Sequence, residues 1–137
     1  MSSKLLLRIA AVLITIHLLG HTIGHLNWDN PTDPGMAKVV RVMKGYQADF
    51  MGASKSMADY HTGYSIMIFG LFGMSIVILW LTSGFINENR LIAKKVVCPV
   101  GFAYIFFGIA EYMYFFPFAA ATSFIAGLLI MIVLVKK

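Results

Sequence analysis

Four runs of mostly apolar residues constrain this chain more than anything else in it. They cover about residues 5–26, 60–81, 96–116 and 117–135. A helix crosses the roughly 30 Å hydrocarbon layer of a bilayer with about 20 such residues. Backbone polar groups in that layer must be satisfied within the segment, which favours helices. The expected fold is therefore an all-α, integral membrane four-helix bundle, a single domain over the 137 residues. Composition agrees. Hydrophobic residues make up 59% and charged residues 12%, against roughly 25% charge in soluble domains. A water-soluble globule and a disordered chain are both excluded. The net charge of +5 does not point to nucleic acid, because Lys and Arg flank the apolar runs instead of lining one face. The expected surroundings are a lipid bilayer, with no nucleic-acid partner.

The third and fourth runs are nearly continuous, so Pro117 marks a tight turn. Proline suits the first turn of a helix, where its missing N–H costs nothing. The first run reads as a retained span and not a cleaved leader, since Gly20 to His25 offers no small-x-small site. Lys4, Arg8, Arg90, Lys94, Lys95, Lys136 and Lys137 fall on one side of the bundle. The segment from Asn27 to Asp59, with four basic and four acidic residues, falls on the other. Positive charge favours the cytoplasm. This places both termini there, in what we expect to be a bacterial inner membrane.

The outer segment, about residues 34–52, reads as an amphipathic interfacial helix between spans one and two. Asp33–Pro34 is a helix-start pair. Val39, Val42, Met43, Tyr46 and Phe50 then recur at helical spacing, with Lys38, Arg41 and Lys44 between them. Small residues recur on the spans: Gly20 and Gly24; Gly63, Gly70 and Gly73; Gly101 and Gly108; Ser123, Ala126 and Gly127. Such spacing lets membrane helices approach closely. Cys98, the single cysteine, has no disulfide partner and reads as an apolar filler. Trp28 and Trp80 read as interfacial anchors, and Tyr112, Tyr114, Phe115, Phe116 and Phe118 as an aromatic belt.

The chemistry-bearing residues gather in the outer half. His17, His21 and His25 are four apart on the first span, so they form one stripe about 12 Å long. His61, the fourth and last histidine, opens the second span beside Asp59. Glu111 sits inside the third span on the face of Gly101, Tyr104 and Gly108. An ionisable group in a span usually faces the interior and pairs with a polar group. By depth, the expected partners of Glu111 are His21, His25 and His61.

Three chemistries fit this set. A transition metal, Zn or Fe, would take its ligands from His17, His21, His25, His61, Asp59 and Glu111. A b-type haem would use His61 with His21 or His25. Proton or quinone chemistry would use His and Glu without a metal. The structural reading stands beside them: interfacial hydrogen bonds for His25 and His61, and a helix–helix bond for His17 and Glu111.

At HLLGHTIGH in the first span and DYHTGYS opening the second, the chain resembles small four-span bacterial membrane proteins of unassigned function. In size and span number it is similar to the DoxX-like group. The resemblance implies the four-span fold and carries no site residue. The expected function is a small membrane protein binding a metal ion or haem at an outward His/Glu cluster, in redox or cofactor handling. The alternatives are an accessory subunit of a larger membrane complex, with structural His and Glu, and a lipid-modifying enzyme. Four short spans enclose little volume, so a homo-oligomer is also in keeping with the sequence.

Overall fold

Side-chain caps open four of the five described helices, and Pro117 opens the last. The computed structural model describes residues 1–136. Helix α1 is Ser3–Asn27, with the Ser2 hydroxyl accepting from the Leu5 N–H at 3.2 Å. Helix α2 is Pro34–Gly45, with Pro34 in its first turn and Asp33 Oδ1 accepting from Met36 N–H at 2.8 Å. The expected start pair therefore works as read. Helix α3 is Met57–Phe85. It opens on a reciprocal capping box: Asp59 Oδ2 accepts from the Ser56 N–H at 2.8 Å, and Ser56 Oγ accepts from the Asp59 N–H at 3.1 Å. Helix α4 is Arg90–Tyr114, capped by Asn89, and α5 is Pro117–Val135. The Phe115–Phe116 turn leads into Pro117, as expected.

The four long helices, α1, α3, α4 and α5, are long and apolar enough to cross a membrane. At 1.5 Å per residue, α1 measures about 37 Å and α5 about 28 Å. Two of them outrun their apolar cores. Helix α4 begins at Arg90, not near Val96, because Asn89 caps it and Arg and Lys are good helix formers. Pro99 lies inside α4 without ending it.

The segment between the first two long helices departs from expectation. Its helix stops at Gly45, and Tyr46 is extended (φ −86°, ψ 119°). An antiparallel hairpin follows, β1 (Gln47–Phe50) on β2 (Ala53–Ser56), with Gln47 opposite Ser56 and Phe50 opposite Ala53. Met51 and Gly52 both have positive φ, 51° and 84°, as a two-residue type I′ hairpin turn needs. Tyr46 and Phe50 are thus not on a helix face, and the helical reading holds for 34–45 only.

The chain divides into two compact units: residues 1–19 with those from Phe72 onward, and residues 20–71. In the first unit α1 buries Ser3, Leu6, Leu7, Ala10, Ala11, Ile14 and His17. They recur at three and four residues with neighbours at Leu6 and Ala11, the core-facing stripe of a packed bundle helix. Helix α4 buries Ala93, Val97, Gly101, Tyr104 and Gly108. It meets α5 very closely. A Cβ built on Gly108 would stand 2.6 Å from Phe124 Cβ, and one on Gly127 would stand 2.7 Å from the Ile105 backbone nitrogen. These glycines therefore set the α4–α5 contact. Arg8 is held in the same unit, its Nε donating to Ser83 Oγ at 3.3 Å and its guanidinium 5.0 Å from the Trp80 ring centre.

The second unit holds the end of α1, α2, the hairpin and the start of α3. Helix α2 buries only Val40, while Met36, Val39 and Val42 are exposed. Lys44 pairs with Asp29 at 3.1 Å, half exposed on both sides. Gly24, Gly63 and Gly70 would each place a Cβ in open space. The close packing expected of them is not found among the described residues.

Candidate functional site: two histidine clusters

The α1 seam carries His17 into the first unit, where it is 8% exposed. Its ring lies edge-on to Phe72, 4.8 Å between centres. Nδ1 is 3.1 Å from Thr122 Oγ1 and 3.1 Å from Ser123 Oγ. Nε2 is 3.6 Å from Glu111 Oε1. The partner of Glu111 is thus His17, the deepest histidine, where His21, His25 and His61 were expected.

Hydrogen-bond arithmetic favours one placement of the proton on this ring. A hydroxyl has one hydrogen to give. Thr122 Oγ1 donates to the Ala119 carbonyl at 2.8 Å, one turn back on its own helix. With its hydrogen on that carbonyl, or on the Phe118 carbonyl at 3.1 Å, it meets His17 Nδ1 as an acceptor, the arrangement in which Nδ1 carries the hydrogen. On a neutral ring Nε2 is then a lone pair facing the lone pairs of Glu111. The contact is attractive only when a proton sits on one of the two. A proton on Glu111 makes it a donor to Nε2; a proton on Nε2 makes an imidazolium–carboxylate pair. At 3.6 Å the gap exceeds a normal hydrogen bond, so the proton is not locked in a short bridge.

The surroundings are apolar with a few polar atoms. Ser123 neighbours the Glu111 carboxyl, and Ser75 neighbours the Tyr104 hydroxyl. Tyr104 is 1% exposed and within electrostatic reach of Glu111. Two buried atoms, Tyr104 Oη and Glu111 Oε2, have no hydrogen-bond partner of regular geometry among the described residues. Groups left so in a buried site need an explanation, and a functional role is one.

The second cluster centres on Ser65 of α3, which is buried. His21 Nε2 lies 3.1 Å from the Ser65 carbonyl and 3.0 Å from its hydroxyl. A carbonyl only accepts, so His21 Nε2 carries the hydrogen. The Ser65 hydroxyl is free to donate to His25 Nδ1 at 2.7 Å. The chain of donors thus runs from His21 through Ser65 to His25. Phe69 lies edge-on to both rings, at 4.9 and 5.2 Å. His61 lies against Trp28, 4.3 Å between centres and tilted by 40°, and Asp59 belongs to the α3 capping box. Among the described residues, no group of three or more His, Cys, Asp or Glu is placed to hold a metal ion.

Sequence reasoning missed Ser65 and Thr122, and took Ser123 only as a small residue. The signal was available: Thr122 and Ser123 are the only hydroxyl residues in α5. Compared with known proteins, the chain matches no family, no curated protein and no solved structure.

Proposed function

We propose that this is an integral membrane protein of four spans whose His17–Glu111 pair takes up and passes a proton within the membrane. One observation carries the reading: His17 Nδ1 is tied to Thr122 and Ser123 while Nε2 faces Glu111. A histidine fixed at one nitrogen and facing a carboxyl with the other is the arrangement of a proton relay. Tyr104 and the second carboxyl oxygen are the next groups along.

Membrane insertion is supported by the exposed Leu and Ile side chains on every long helix. By the distribution of Lys and Arg, both termini face the cytoplasm. By its balanced charge, the segment from Asn27 to Asp59 is expected outside the cytoplasm. Its exposed Met36, Val39 and Val42 enter the interface, with Phe50 and Met51 at the hairpin tip.

The test is proton uptake in sealed proteoliposomes carrying a pH-sensitive dye, with an imposed potential. Wild type and a Glu88→Gln control take up protons, and Glu111→Gln does not. Equal uptake by Glu111→Gln would sink the reading.

A metal or haem ligand at the second cluster is the second reading. It is favoured by the bond from His21 Nε2 to the Ser65 carbonyl, since metal-binding histidines usually donate their other N–H in this way. His21 Nδ1 would be the ligand atom, with His25 and His61 as candidates to complete the set. Near-stoichiometric iron or zinc in purified protein, lost in a His21→Ala/His61→Ala variant, would establish it.

A further inference from the structure

The starts of α1 and α4, in the first unit, border a cavity of about 290 Å³. Its lining is Ser2, Ser3, Ile86, Asn87, Arg90 and Lys136. Five of these six are polar, and two are cationic. Ligand pockets run from about 300 Å³ upward, so this one has room for a small headgroup and little more. Arg90 makes no ion pair and no side-chain hydrogen bond among the described residues. Lys136 Nζ donates to the Met1 carbonyl, and Lys94 Nζ donates to the Lys136 carbonyl at 2.6 Å. These bonds tie the end of α5 to the start of α1 and fix one wall.

The backbone adds to the same charge. Ser2 Oγ takes the Leu5 N–H and Asn89 Oδ1 takes the Ile92 N–H. The N–H groups of Ser3, Lys4, Arg90 and Leu91 precede the intrahelical ladder and lack partners in it. Two helix starts thus present partial positive charge. Lys4 lies in the first turn of α1, and Lys94 and Lys95 in the second turn of α4, against one carboxylate, Glu88. A guanidinium fork without a partner, in a polar cavity, suits a phosphate oxyanion.

We propose that this cavity binds a phosphate group, held by Arg90, Lys136 and the N–H groups that open α1. The phosphate is either the headgroup of an anionic phospholipid or free phosphate. The proposal does not depend on the His17–Glu111 reading.

The experiment uses the full chain in detergent, with native mass spectrometry of retained phosphatidylglycerol against phosphatidylcholine. A parallel titration uses inorganic phosphate alone, followed by thermal shift. Arg90→Gln removes the fork, while Lys95→Gln removes equal charge outside the cavity. Wild type and Lys95→Gln retain phosphatidylglycerol selectively, and Arg90→Gln loses it about tenfold, as expected for a charge-assisted bond. Binding of inorganic phosphate with the same Arg90 dependence, without lipid selectivity, keeps the site and names free phosphate as its ligand. Equal loss in both variants, no loss in Arg90→Gln, or no binding of either probe would overturn the proposal. Unfolding midpoints of both variants confirm that each is folded; Arg90 is exposed, so its loss leaves the core intact.

Discussion

Replacing Gly108 by alanine probes a close contact between α4 and α5. The added Cβ would stand 2.6 Å from Phe124 Cβ and 2.8 Å from the Phe124 Cα and backbone nitrogen. Carbon atoms rest at about 3.5–4.0 Å, so the helices must part by about 1 Å. The obstruction is backbone, and no rotamer of Phe124 relieves it. Overpacking of this kind costs about 1–3 kcal/mol. Alanine recovers up to about 1 kcal/mol of helix propensity over glycine. Because the atoms met are Cβ and backbone, the cost falls in the upper half of that range, about 2–3 kcal/mol, and the net expectation for Gly108→Ala is a loss of roughly 1–2 kcal/mol. Gly70→Ala is the matched control. Its Cβ would meet nothing within 4 Å, so only propensity acts, and the variant gains about 0.5–1 kcal/mol. Unfolding by sodium dodecyl sulfate in mixed micelles, followed by far-ultraviolet circular dichroism, gives both numbers. A Gly108→Ala variant as stable as wild type, or two variants moving in the same direction, would refute the packing argument.

Other contacts make similar claims. Asp33→Ala removes the α2 cap and costs about 1 kcal/mol locally; amide exchange at Met36 and Ala37 should quicken while α4 and α5 stay protected. Ser65→Ala removes the hydroxyl shared by His21 and His25 and costs about 1–3 kcal/mol. In nitrogen-15 spectra the His21 and His25 ring signals should move, while those of His17 and His61 hold still.

The long helices were legible because bilayer length and hydropathy leave few alternatives, and the proline turn at Pro117 and the cap at Asp33 because each is a local rule. The hairpin was not. Val39, Val42 and Tyr46 kept a helical period past Gly45, and Gly52 alone signalled the turn. Met51 beside it takes a positive φ that its residue type does not advertise. The glycines divide for a similar reason. Gly108 and Gly127 face a partner helix and Gly63 and Gly70 do not, and spacing along one helix cannot tell the two apart. In the candidate site, His17 and Glu111 were recognised as ionisable groups inside spans. Their pairing was not recognised, because depth counted along separate helices does not give the seam on which each side chain lies. The α1 seam of Leu7, Ala10 and Ile14 leads to His17 and supplies that missing direction.

The most direct test of the His17–Glu111 account is nitrogen-15 spectroscopy of ring-labelled protein, with His17 assigned by its loss in His17→Gln. The account predicts hydrogen on Nδ1 and an Nε2 signal that moves in Glu111→Gln. A ring protonated only at Nε2, with a signal indifferent to Glu111→Gln, would contradict it.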